Sequence, residues 1–107
     1  MGFEGAGICR FAQRVGARVI LDVYQVAGTV PMDLGAWQAD FAVGGSVKWL
    51  CGGPGNAFLY TRPELLEEAK PSFTGWLSRS HPFDFDLESE ATRDDAMRMM
   101  NGPRSSR

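Results

Sequence analysis

Lys48 ends a glycine-flanked run, Gly44-Gly45-Ser46-Val47-Lys48, and an acid, Asp22, closes an apolar run upstream. A primary amine on a turn can condense with an aldehyde. An acid on a neighbouring strand can keep a pyridine nitrogen protonated, so that the ring withdraws electrons. Together they suit Schiff-base chemistry with pyridoxal phosphate. A second turn, Gly52-Gly53-Pro54-Gly55, could cradle a phosphate with backbone N–H groups. Each feature also has an ordinary counterpart: an acid capping a turn, a solvated lysine, a tight turn that needs glycine. Order and spacing along the chain favour the chemical reading.

Composition excludes other chemistries. Of 107 residues, 44% are hydrophobic and 22% charged, which is globular and too apolar for a disordered chain. The length suits at most one small domain. A net charge of -2 gives no basic footprint, so no nucleic-acid partner is expected. No apolar run approaches membrane-spanning length, and the start lacks the basic and apolar regions of a signal peptide. A cytoplasmic protein with no membrane partner is expected. Cys9 and Cys51 read as free thiols, Cys51 as a small buried filler beside the lysine turn. One histidine and no ligand spacing imply no metal site.

The elements that must position these groups can be read in turn. Ile8, Phe11, Ala12 and Val15 recur at helical spacing, with Arg10, Gln13 and Arg14 opposite. Gly16 stops that helix as a left-handed cap. Residues 18–24 are apolar and β-branched on both faces, which predicts a buried parallel strand with Asp22 towards its carboxyl end. Residues 27–30 read as a loop, and Asp33 caps a short turn of helix through Gln38. Residues 40–44 and 57–61 read as further strands. Pro63 opens a short helix over 64–70, with an acid first and a lysine last.

After Pro71 the aromatics Phe73, Trp76, Phe83 and Phe85 lie among polar residues without a clear period, as in an ordered loop. A weak helical signal returns over 91–100, and 103–107 read as a disordered tail. The expected class is α/β, part of a mainly parallel sheet with flanking helices. Residues 1–71 form its cofactor-binding core, 72–102 the aromatic loop and the start of the next region, and 103–107 the tail.

Several of these residues fall into an ordered set: Asp22-Val23-Tyr24-Gln25-x-Ala27-Gly28, Pro31-x-Asp33-Leu34, Asp40-Phe41, and Gly45-Ser46-Val47-Lys48-Trp49-Leu50-x-Gly52-Gly53-Pro54-Gly55. The set resembles the cofactor-binding core of fold-type I pyridoxal phosphate enzymes. Within these it is most similar to the class V aminotransferase group and its kynureninase branch. The resemblance continues through Arg62-Pro63-Glu64, Gly75-Trp76 and Pro82-Phe83 to Asn101-Gly102. It implies that Lys48 is the Schiff-base lysine and that Asp22 pairs with the pyridinium nitrogen. It implies that Gln25 contacts the cofactor's phenolic oxygen or ring. Trp76 would reach a cofactor across a homodimer interface, and Asn101 would contact a small-molecule amino-acid substrate.

The sequence also departs from that pattern. Val47 stands where many relatives carry a polar or aromatic phosphate ligand, so Ser46 and the glycine-loop amides would compensate. Arg79 occupies the place of a frequent histidine, and His81 is assigned no role. Residues 104–107 resemble nothing in the family. Its members are several times longer, so a fragment holding about the second half of the cofactor domain is expected, catalytically silent alone. The implied reaction of the intact parent is hydrolytic Cβ–Cγ cleavage of kynurenine to anthranilate and alanine. A class V aminotransferase or a cysteine desulfurase is the neighbouring reading. A desulfurase needs a mobile thiolate, and Cys51 lies too near the lysine turn to supply it. From a different class, the alternative is a non-catalytic remnant or a small module that binds a phosphate ligand or a partner.

Overall fold

Helix α1 spans Gly5–Arg14. It ends as the sequence predicts, with Gly16 in the left-handed region at φ 72°. The Gly16 N–H donates to Gln13 O at 3.2 Å and the Ala17 N–H to Ala12 O at 2.9 Å, the crossed pair of a Schellman cap. The face it buries agrees with the expected one at Ala12 alone. Gly5, Cys9 and Ala12 are buried, whereas Ile8 and Val15 are exposed and Phe11 is 66% exposed. Residues 5, 9 and 12 form a stripe of small side chains, and through Cys9 it joins the core cluster of Leu21, Val23, Ala39 and Ala42. The larger apolar residues fall on the neighbouring stripe. The computed structural model describes residues 4–71 together with Ser80, Asp95 and Met99.

Three strands follow: β1 (Ile20–Asp22), β2 (Phe41–Gly45) and β3 (Ala57–Thr61), in the spatial order β1-β2-β3. β1 and β2 are parallel, with Ile20 opposite Phe41 and Asp22 opposite Val43. β3 runs antiparallel to β2, with Phe41 opposite Thr61 and Gly45 opposite Ala57. A parallel pair needs a crossover, and residues 23–40 supply it as successive turns. Asp33 caps the second of these: its Oδ1 accepts the Ala36 N–H at 2.8 Å. Gln38, at φ 55°, ends the segment, so the expected helix closes as a turn.

Strand alternation decides what lies on each side of the sheet. Leu21, Val23 and Ala42 are buried with Cys9 and Ala39, and Val26, Met32, Leu34, Trp37 and Tyr60 pack around them. Val23 is fully buried, a burial that stabilises by about 2 kcal/mol. Ile20 and Asp22 lie on the opposite face, and Ile20 is 67% exposed. The expectation of a strand covered on both faces is therefore corrected: among the described residues, β1 is covered on one.

Asp40 pins the strands at the end away from Asp22. It is 4% exposed. Its Oδ2 accepts the Val19 N–H at 2.9 Å, and its Oδ1 meets Arg62 Nη2 at 3.0 Å and Arg18 Nη1 at 3.5 Å. Its carbonyl accepts the Arg62 N–H at 2.9 Å. One side chain thus joins the entry to β1, the start of β2 and the exit from β3. Burial, and then the negative charge of Asp40, push the Cys9 thiol above its ordinary value.

The chain divides into two compact units, Met1–Arg62 and Pro63–Arg107. In the second, a 3₁₀ turn over Pro63–Leu65 starts at the proline as expected. The helix expected over 64–70 does not continue it. The segment carries on as turns, with Ala69 N–H donating to Leu65 O at 2.9 Å. So short a helix has little to offset its nucleation cost, and Pro71 disfavours helical backbone at Lys70.

Candidate active site

Asp22 closes β1 at its carboxyl end, exposed, on the face opposite Leu21 and Val23. Its Oδ1 accepts the Tyr24 N–H at 3.1 Å. That bond orients the carboxylate and leaves Oδ2 for a partner of its own. The chain then turns through 24–29, held by Val26 N–H to Val23 O at 3.1 Å and Ala27 N–H to Val23 O at 2.9 Å. This turn carries Gln25 outward.

Lys48 lies on the connection between β2 and β3. Antiparallel pairing holds its base, where Ser46 N–H donates to Asn56 O at 3.1 Å. Gly52 N–H donates back to Ser46 O at 2.8 Å, closing a ring that holds the exposed Lys48 at its rim. The Ser46 hydroxyl donates to Gly53 O at 3.2 Å, and Asn56 Nδ2 donates to Gly52 O at 3.3 Å. A Cβ on Gly52 would lie 2.5 Å from Ser46 Cβ, so the ring closes only over a residue without a side chain. Cys51 sits on this ring at φ 56° and is exposed, not the buried filler expected, because the turn directs its side chain outward.

The two loops meet. Trp49 Nε1 donates to Gln25 Oε1 at 3.2 Å. Gly28 takes φ 91°, and a Cβ there would lie 3.2 Å from Trp49 and from Leu50. Its backbone angle favours glycine, and its contact is a tight one for any side chain. The Tyr24 ring closes on Gly45, where a Cβ would approach it to 2.6 Å. The segment that follows Asp22 is thus packed along the segment that carries Lys48. Trp76 and Asn101 lie outside the described residues.

The donor set suits pyridoxal phosphate: an oriented carboxylate with one oxygen to spare, a primary amine on a pinned turn, and a side-chain amide between them in the chain. Ser46 is partly buried, and its proton is given to Gly53. Reading by sequence missed Tyr24, Trp49 and Asn56 as the parts that brace the lysine ring. Trp49 carries the one available signal, an indole with a polar handle immediately after the lysine. No cluster of three or more histidine, cysteine or acidic side chains able to hold a metal occurs among the described residues. No helix among them is long and apolar enough to cross a membrane.

A family model for aminotransferase class-V matches residues 3–102. The chain belongs to the class-V aminotransferase family, whose members are pyridoxal phosphate-dependent enzymes. It is 42% identical over 77 residues to the uncharacterized aminotransferase YcbU of Bacillus subtilis, covering 72% of this chain and 21% of that protein. It is 41% identical over 69 residues to a kynureninase of Pseudomonas fluorescens, covering 64% of this chain and 17% of the kynureninase. A probable cysteine desulfurase of Streptomyces coelicolor is 44% identical over 68 residues, covering 64% of this chain and 16% of that protein. The chain thus spans about a fifth of the length of the curated relatives it matches.

Proposed function

We propose that the chain is part of the cofactor-binding core of a kynureninase-like hydrolase, which cleaves kynurenine to anthranilate and alanine. The Trp49–Gln25 bond, which packs the loop after Asp22 against the loop of Lys48, supports the cofactor core, and the 41% identity to a kynureninase supports the hydrolase. Bound pyridoxal phosphate supplies an electron sink for the bond changes at the substrate's α carbon. Lys48 would hold the cofactor through its aldehyde and, once substrate is bound, would move the proton at Cα. Asp22 would hold the proton on the cofactor's pyridine nitrogen, its carboxylate oriented by the Tyr24 N–H. Gln25 meets the phenolic oxygen. Ser46 and the glycine-loop amides would face the phosphate in place of the donor that Val47 lacks, the Ser46 hydroxyl turning from Gly53 O to do so. Water attacks the γ carbonyl of the substrate. Trp76 reaches the cofactor of the other protomer in a homodimer, and Asn101 orients the substrate; the working enzyme is cytoplasmic.

A class V aminotransferase is the second reading, supported by the similarity to YcbU over 72% of this chain. The two separate by product. Kynurenine incubated with the full-length protein and pyridoxal phosphate is expected to give fluorescent anthranilate and free alanine. A keto acid with no anthranilate would replace hydrolysis by transamination. Borohydride reduction followed by peptide mapping is expected to label Lys48. Labelling of Lys70 with Lys48 untouched would remove the basis of both readings.

A further inference from the structure

Trp49 follows the lysine directly and has no evident partner in the chemistry above, yet it makes the contact between the two loops. An indole N–H can only donate a hydrogen bond. The side-chain amide of Gln25 has two different ends, an oxygen that accepts and an NH₂ group that donates. Nε1 of Trp49 lies 3.2 Å from Oε1 of Gln25, and the opposite orientation would set two donors against each other. Trp49 therefore selects one of the two orientations of this amide. Gly28 permits the contact, since its missing side chain leaves room for the Trp49 backbone and Cβ and for Leu50 to lie against the turn.

We propose that Trp49 is a positioning residue that fixes the Gln25 amide with its oxygen engaged, so that Gln25 presents its NH₂ group, a donor, to the ligand. This rests on the pyridoxal phosphate reading of the site. A donor at that position favours an oxygen carrying negative charge over a protonated one. The phenolic oxygen of the cofactor is then met in its ionised form. Gln25 touches the ligand, and Trp49 acts through Gln25.

Two readouts on the full-length protein test this, neither of them turnover. The first needs no cofactor. In ¹⁵N-labelled protein, Gln25→Leu removes the acceptor, and the Trp49 indole proton is expected to move upfield and to exchange with solvent several-fold faster. Gln25→Glu keeps an acceptor, and the indole proton is expected to stay protected. The second readout is the absorbance of bound pyridoxal phosphate as pH is varied. Trp49→Phe keeps the backbone and Cβ that lie against Gly28 but frees the amide to turn, and Gln25→Glu has no donor at all above its own titration. Both are expected to raise the pH midpoint of the bound phenol by about half a unit or more, because the ionised form loses its donor.

An indole proton indifferent to Gln25→Leu, or a midpoint unmoved by Trp49→Phe in protein that binds the cofactor, would overturn the inference and leave the functional reading standing. Wild-type protein that takes up no pyridoxal phosphate would overturn both.

Discussion

Asparagine in place of Asp40 removes one charge and almost no volume from the point where three strands are pinned. In the native chain Oδ2 takes the Val19 N–H at 2.9 Å while Oδ1 takes Arg62 at 3.0 Å. An amide has one oxygen and one NH₂ group. Whichever way it turns, an N–H group faces either a backbone donor or a guanidinium. Removing one partner of a buried ion pair typically costs about 3–5 kcal/mol. That range must be reduced here, because the Arg62 side chain is 22% exposed and water recovers part of its solvation. Arg18 adds little, since its side chain is 56% exposed and such pairs contribute about 0–1 kcal/mol. A loss of about 2–4 kcal/mol is expected, a large part of the roughly 5–15 kcal/mol that holds an ordinary domain. Urea unfolding of wild type and Asp40→Asn would read this as a lower midpoint at unchanged slope. A double-mutant cycle with Arg62→Met should return a coupling of about 1 kcal/mol or more. A loss under about 0.5 kcal/mol with no coupling would show that the carboxylate is not what holds the strand ends.

Four further outcomes are expected. Val23→Ala deletes two fully buried methyl groups, and its unfolding free energy should fall by about 2 kcal/mol; a loss under half of that would contradict the packing described. Gly52→Ala should destabilise by about 1–3 kcal/mol through its approach to Ser46, and Ser46→Gly in the same chain should restore most of that loss. Burial raises the Cys9 thiol, so the folded chain holds that proton more tightly than the unfolded one. The corresponding stability is present below the thiol's ordinary value and is lost as pH rises through the raised one, which a series of unfolding curves at alkaline pH, with Cys9→Ala as the reference, would read. In the full-length protein Asp22→Asn should reduce turnover far more than cofactor retention, and unchanged turnover would make Asp22 a cap for Tyr24 and nothing more.

Local chemistry made parts of the chain legible without a structure. Gly16 stops α1 because a left-handed cap depends on the residue itself and its nearest neighbours. Strand β3 covers the residues expected of it, and Asp33 caps where a short acid should. Lys48 and Asp22 stood out by residue type, order and spacing, and a specific ordered set carries family membership well. Other features depended on what each element meets. The buried stripe of α1 runs through Gly5, Cys9 and Ala12, with Cys9 in the core cluster, whereas periodicity alone set Ala12 with Ile8, Phe11 and Val15. The direction of β3 follows from how the chain returns after the lysine turn, since 57–61 reads the same as a parallel or an antiparallel strand. Asp40 looked like the first residue of a strand, and only Val19 and Arg62, far off in sequence, make it a junction. Likewise, Trp49 and Gln25 are ordinary residues until packing brings one donor to one acceptor. Sequence sets which groups a chain can offer, because identity and local backbone preference belong to each residue. Tertiary structure decides which groups meet and how they are turned, because a hydrogen bond between distant residues exists only where the fold has already placed both ends.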